Sequence, residues 1–316
     1  MSAYRFCRTD DIALLVDALN RCWSPYCPGE PPMTAAEFKR SIRDLQVWCS
    51  SCMVAFSGAD PVGVLIGAKR ASGTLVHRIA VHPDHLRQGH ARHLLASLGS
   101  KLAILGPPRI MAEVPETLAP ACGLFSAGGY VQEALLTDYV LQREETDEPK
   151  TANERQRVSH ASGAGILGVH ASERVGGSGG AKPPGLNNAF VIPVTVDDLA
   201  ANGLLEETHP QVCWKRSVET LTARKNEIAG LAVASDERIE AYLLYMECGE
   251  IVSLRSFIDD GGARLKQLLS RLFAQGMRTF RFPKVHPAEI SKEILETLGF
   301  RPAGGHLLYA ARARSD

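Results

Sequence analysis

Residues 143 to 188 break this 316-residue chain in two, and that break constrains its fold more than any other feature. The segment opens on Glu144-Glu145-Thr146-Asp147-Glu148-Pro149-Lys150 and contains Gly176-Gly177-Ser178-Gly179-Gly180, with few large apolar residues. Burial there cannot offset the entropy of ordering the backbone. It reads as a flexible linker, with Ile166-Leu167-Gly168-Val169 as a patch able to dock elsewhere. The flanking stretches, 1–142 and 189–316, each approach the usual domain length of about 150 residues.

The first stretch alternates helical and strand patterning. Tyr4 to Cys7 predicts a strand, and Ile12, Leu15, Val16 and Leu19 fall on one helix face behind a cap at Thr9 or Asp10. Pro25, Pro28, Pro31 and Pro32 force a loop, and Thr34 caps a second helix through Phe38, Ile42 and Leu45. Strands follow over 52–56, 61–69 and 75–81, then a helix from Gly89 and a strand over 109–114. A short helix over 119–125 stops at Gly128-Gly129, and a strand over 130–141 closes the sheet. The second stretch repeats this order: strands at 190–194, 229–234, 240–247, 250–257, 279–282 and 306–311, with helices over 196–205, 212–221, 263–274 and 288–298. The fold class is α/β (α+β), each half a mixed, mostly antiparallel sheet flanked by helices.

The chemistry concentrates between Leu75 and Leu95. A strand ends at Val81, and a helix starts near Gln88-Gly89. A helix's first turn presents unpaired N–H groups and a positive dipole end, which suits a pyrophosphate. Gly89 and Ala91 let backbone approach, and Arg87 and Arg92 add positive charge. The run Ala80-Val81-His82-Pro83-Asp84, followed by Arg87-Gln88-Gly89-His90-Ala91-Arg92-His93-Leu94-Leu95, resembles the acetyl-CoA signature of the GNAT acetyltransferases. The resemblance is tight over 79–95 and extends in element order over 4–141. It implies that Ile79, Ala80 and Val81 pair with pantetheine. It also implies that Arg87, Gln88, Gly89, His90, Ala91 and Arg92 hold phosphate, and that an acetyl group passes to a small-molecule amine or protein amino group. Three positions depart from the family pattern: Leu86 opens the phosphate loop, Leu118 stands where Asn is frequent, and Phe125 stands where a Tyr often protonates the thiolate. The counterpart in the second half carries Asp259 and Asp260, whose charge opposes an anion. That half reads as a cofactor-free GNAT-like copy that walls the acceptor groove or stabilises the first.

Amine acetylation needs a proton acceptor. Glu113, in an apolar strand, is the first candidate, with a pKa raised by burial. His77, on the cofactor strand, is the second, with a titration range suited to neutral pH. Each has a structural reading beside it: a solvated outward Glu, and a hydrogen-bonded strand His. Tyr130 and Cys122 are conceivable acids, though both also read as core. Trp23, Tyr26 and Glu30 are expected to line the acceptor groove.

Composition excludes some classes. Lys plus Arg equals Asp plus Glu at 35 each, so no net charge draws the chain to nucleic acid or an anionic membrane. No run of about 18 apolar residues occurs, and the N-terminus has no signal-peptide core, so a cytoplasmic protein is expected. Its eight cysteines are then expected to be thiols. Cys22, Cys27, Cys49 and Cys52 have zinc-like spacing, but their apolar settings favour small-hydrophobe packing, and no metal is expected. Two rivals remain: a non-catalytic acetyl-CoA sensor or interaction module, and a zinc-stabilised binding protein.

Overall fold

A computed structural model describes residues 2–143, 189–205 and 213–313. Nearly all of the expected linker, including the 166–169 patch, lies outside the described residues. In the first half, β1 (Ser2–Phe6), α1 (Ile12–Cys22), α2 (Ala35–Leu45), β2 (Met53–Ser57), β3 (Asp60–Arg70) and β4 (Gly73–Val81) come first. They precede α3 (His90–Leu105), β5 (Arg109–Pro115), α4 (Ala119–Ala127) and β6 (Val131–Gln142). The second half runs β7 (Phe190–Pro193), α5 (Val196–Ala201), α6 (Val218–Ala223), β8 (Ile228–Ala234), β9 (Ile239–Met246) and β10 (Ile251–Ser256). It ends with α7 (Ala263–Ala274), β11 (Thr279–Val285), α8 (Lys292–Thr297) and β12 (Arg301–Arg312).

Local chemistry accounts for most of these boundaries. Thr34 and Glu37 form a reciprocal capping box at α2, and Thr195 with Asp198 does the same at α5. The expected Thr9 or Asp10 cap of α1 is absent. Asp11 is its N-cap residue, and the Asp11 carboxylate instead accepts from the Arg8 N–H and the Arg5 guanidinium.

The two halves exchange strands. The large sheet has the order β1-β2-β3-β4-β5-β12-β6-β11, and the small one β10-β9-β8-β7. Strand β12, the end of the second half, lies antiparallel between β5 and β6 of the first. Strand β6 in turn pairs antiparallel with β11. The 130–141 strand therefore does not close a sheet; it sits inside one, with partners from the other half on both sides. Strand β12 also starts at Arg301 rather than His306. Register shifts between Pro302 and Gly304 carry Pro302, Gly304 and Gly305 into the ladder.

One feature of the first half positions the site. Strands β4 and β5 are parallel and pair only at Thr74↔Ile110 and Leu75↔Met111, then splay apart. Within β4, Ile66↔Arg78 and Gly67↔Val76 leave His77 without an opposite residue, a bulge that interrupts the alternation of side chains. Ile110, Ala112 and Val114 of β5 pack under α3 and α4, so Glu113 points to the opposite face, where α1 and α2 lie.

Candidate functional site

The splay leaves one edge of β4 open. The His82 N–H bonds the Val62 carbonyl on β3, so the preceding Val81 carbonyl points away from β3, toward the gap. Ile79 and Val81 share that orientation, whereas their side chains are held in or against the core. Any ligand in the gap meets their backbone.

At the end of that edge the chain turns into α3. Gly89 is the N-cap residue with φ 82°, a left-handed conformation that favours glycine, and a Cβ built there meets nothing within 4 Å. Arg87 adopts φ 62° in the same turn. Arg87, Gln88, Gly89 and Arg92 are exposed, and Ala91 is half-buried. The His90 side chain turns inward, where its Nδ1 meets the Tyr4 hydroxyl at 2.8 Å, so His90 offers this loop its backbone alone.

Tyr26, expected to line the acceptor groove, lies against the end of β4. Its hydroxyl donates to the Val81 carbonyl at 2.7 Å, on the open edge itself. Trp23 and Glu30 gather around Arg78, whose guanidinium lies 5.0 Å over the Trp23 ring and 3.9 Å from the Glu30 carboxylate.

Deeper in the splay, Glu113 is 5% exposed and ion-paired with Lys284 of β11, Nζ to Oε2 2.8 Å. Its Oε1 accepts the Trp214 N–H at 2.9 Å, and the Cys213 thiol lies 3.8 Å from Oε2. The expected raised pKa of Glu113 is therefore corrected. Burial does push it up, but Lys284 and the Trp214 N–H outweigh burial and hold it down at about 2. His77 is corrected likewise. Burial, with Arg78, Lys215 and Lys284 nearby, pushes it down to about 3, far below neutral titration.

Of the acid candidates, Tyr130 is in the core and Cys122 is partly buried against it. Phe125 is buried against Tyr130 and Tyr309 at centroid distances of 5.1 and 5.8 Å. Burial pushes the Tyr130 phenol up to about 12. Cys122 points its thiol at the Pro115 carbonyl, 3.8 Å away. Of the zinc-spaced cysteines, Cys22, Cys49 and Cys52 pack in the core beneath α1 and α2, where burial raises all three thiols. Raised thiols disfavour the thiolate that zinc binds.

Sequence reasoning missed the second half's contribution. Trp214 threads under α2, donating Nε1–H to the Leu45 carbonyl, while Arg70 lies 3.9 Å over its ring. The Arg70 guanidinium also donates to the Trp214 carbonyl at 3.2 Å and to the Ser217 hydroxyl at 2.5 Å. Lys284, at φ 52°, donates its N–H to Asp138 at 2.7 Å, and Arg216 donates to the Lys284 carbonyl and to Glu289. No local motif marks these residues; only the strand exchange brings them to Glu113.

Residues 13–130 match the model of the acetyltransferase (GNAT) family. No curated protein matches the sequence as a relative. Among solved structures, the chain is similar to a tandem GNAT protein from the clavulanic acid biosynthesis pathway, determined without acetyl-CoA. The two are 15% identical with a TM-score of 0.59, over 100% of both chains. A GCN5-related N-acetyltransferase from Sphaerobacter thermophilus is 13% identical with a TM-score of 0.60, over 99% of this chain and 96% of that one. At such identities the likeness is one of fold.

Proposed function

From the premise that residues 13–130 are a GNAT domain set in a tandem GNAT fold, we propose that this chain moves an acetyl group from acetyl-CoA to an amine by direct attack. The observation that carries the reading is the open, left-handed Gly89 cap at the end of an unpaired β4 edge. Residues Ile79, Ala80 and Val81 form the strand that meets pantetheine, Ile79 and Val81 turning backbone groups to it and Ala80 turning its own to β3. The N–H groups from Arg87 to Arg92, the dipole of the 16-residue helix α3, and the Arg87 and Arg92 charges meet the pyrophosphate. The fit is supported by the space outside Gly89, where nothing lies within 4 Å of a built Cβ. Bound there, acetyl-CoA supplies the activated acyl group.

In this reading Glu113 acts as a fixed negative charge. It holds Lys284 and the Trp214 backbone in place, so residues 213–216 and β11 wall the acceptor side of the splay. Neutral His77 packs beside it. The second half serves as wall and support without a cofactor of its own, and residues 1–142 and 189–316 are the two units that the linker joins.

A second reading, an acetyl-CoA-binding protein without turnover, is favoured by Phe125, which leaves no hydroxyl where the family's acid stands. Two measurements separate the readings. Acetyl-CoA stabilises the wild type under both, whereas release of free CoA thiol in the presence of primary amines occurs under the first alone. Absence of any shift in melting temperature at millimolar acetyl-CoA overturns both.

A further inference from the structure

We propose that His306, carried into the first half's sheet by the last strand, takes the proton that the acceptor amine sheds. The inference rests on the transferase reading and names a residue that reading lacks. Phe125 cannot exchange a proton, both Glu113 oxygens are engaged, and His77, pushed down to about 3, is too weak a base to draw a proton from an amine near neutral pH. None of these three first-half residues supplies a base suited to neutral pH.

His306 is placed there by register. It stands directly opposite Pro115 on β5 and Leu136 on β6. Directly opposed residues of an antiparallel pair project to one face. His306 therefore shares the face of Pro115 and Glu113, two positions beyond Glu113 toward the open end of the splay. The imidazole is 17% exposed, so it is within reach of a ligand. The charged groups around it come from every neighbouring strand: Glu113 of β5, Glu116 just beyond it, Asp138 of β6 and Lys284 of β11. Gly304 and Gly305 make room for two of these. A Cβ at Gly305 would lie 2.9 Å from the Glu116 carboxyl, and one at Gly304 would lie 3.3 Å from Asp138 Oδ2.

Polarity is set by Asp138. Its Oδ2 stands 3.5 Å from His306 Nδ1, which has no hydrogen-bond partner among the described residues. A carboxylate on that side favours the tautomer protonated at Nδ1 and leaves the Nε2 lone pair to accept. Burial, then Lys284, lowers the imidazole from its ordinary value, so it is neutral and able to accept at pH 7. In the step itself the amine nitrogen bonds to the thioester carbonyl carbon and the C–S bond breaks. The electron pair leaves on sulfur, and the resulting CoA thiolate takes a proton from solvent. The nitrogen's proton passes to His306 and from there to water, which yields an amide and free CoA.

The test compares wild type with His306→Gln for acetyl-CoA-dependent thermal stabilisation and for acetylation of polyamine, amino-sugar and lysyl-peptide acceptors between pH 4 and 10. The expected result is an unchanged stabilisation and acetyl-CoA KM, a kcat about 100-fold lower at pH 7, and loss of the acid limb that remains once the rate is divided by the fraction of neutral acceptor amine. His306→Ala should recover rate when imidazole is added, a response that a structural role would not give. A variant within threefold of wild type with its acid limb intact overturns the proposal while the transferase reading stands. Wild type that binds acetyl-CoA and acetylates none of these amines overturns the transferase reading, and this inference with it. Should His306→Gln fail to fold, imidazole rescue of His306→Ala decides alone: recovery supports the proposal, and its absence in a folded variant overturns it.

Discussion

The two halves carry the same strand-turn-helix unit, and the units differ in what fills the helix start. In the first, Gly89 caps α3 at φ 82° with open space beside it and with Arg87 and Arg92 exposed. In the second, Gly262 caps α7 at φ 86°, almost the same backbone. There the Asp260 carboxylate accepts from the Gly262 N–H at 3.0 Å and the Arg264 N–H at 2.9 Å. The Arg264 side chain turns away to the buried Glu240, 2.7 Å distant. A Cβ at Gly262 would meet Ile294 of α8 and Leu298 just after it at 3.4 and 3.6 Å. One fold element is thus an open helix start in one half and a self-capped helix in the other. Backbone geometry alone does not make a phosphate site; what occupies the N–H groups decides.

If the second half has no ligand of its own, its service to the first runs through contact, and the largest effect should follow from cutting that contact. Lys284→Met leaves Glu113 buried without its cation, a loss of about 3 kcal/mol or more at neutral pH. Acid should narrow the difference. In wild type Glu113 sits at about 2, below its unfolded value near 4.3. Its contribution is therefore present above that unfolded value and is lost as pH falls toward 2. In the variant, burial without Lys284 favours the protonated acid, so acidification relieves it. Urea unfolding at pH 7 and pH 4 checks both signs, and a loss that does not shrink at pH 4 breaks the account of Glu113.

A smaller effect is expected at the open seat. Acetyl-CoA at 100 times its dissociation constant should add about 2.7 kcal/mol to wild type. Gly89→Glu should remove that ligand-dependent increment by placing a carboxylate in the space the pyrophosphate needs, with further strain from the left-handed φ. The ligand-dependent shift in melting temperature is the quantity to compare, since the strain lowers both baselines alike. An undiminished shift in the variant would place the cofactor elsewhere.

Much of this comparison is legible in the sequence, because local signals carry it. Val81, Gly89 and the arginines stand within a dozen residues, and Asp259-Asp260 announces the altered second loop. Thr34 and Glu37 fix α2 by spacing alone. The environment of Glu113 is not legible, since it depends on Lys284 and Trp214, at separations of 171 and 101 residues. Strand exchange sets those contacts, and register between distant strands leaves no periodic trace in either one. His306 is hidden for the same reason. A histidine after Pro302, Gly304 and Gly305 reads as the start of a short terminal strand, not as a neighbour of β5.

The smallest effect tests which feature closes the second loop, its carboxylate or its cover. Asp260→Ala removes a cap that satisfies two N–H groups of α7, a loss of about 1 kcal/mol. Made in the Gly89→Glu background, it leaves the second loop as the one seat able to respond to inorganic pyrophosphate. No stabilisation is expected, because Ile294 and Leu298 still crowd Gly262 and Asp259 still repels an anion. A pyrophosphate-dependent rise in melting temperature would mean that the second half keeps an anion-binding backbone beneath a single blocking side chain. The difference between the halves would then reduce to Asp260, and α8 would have no part in it.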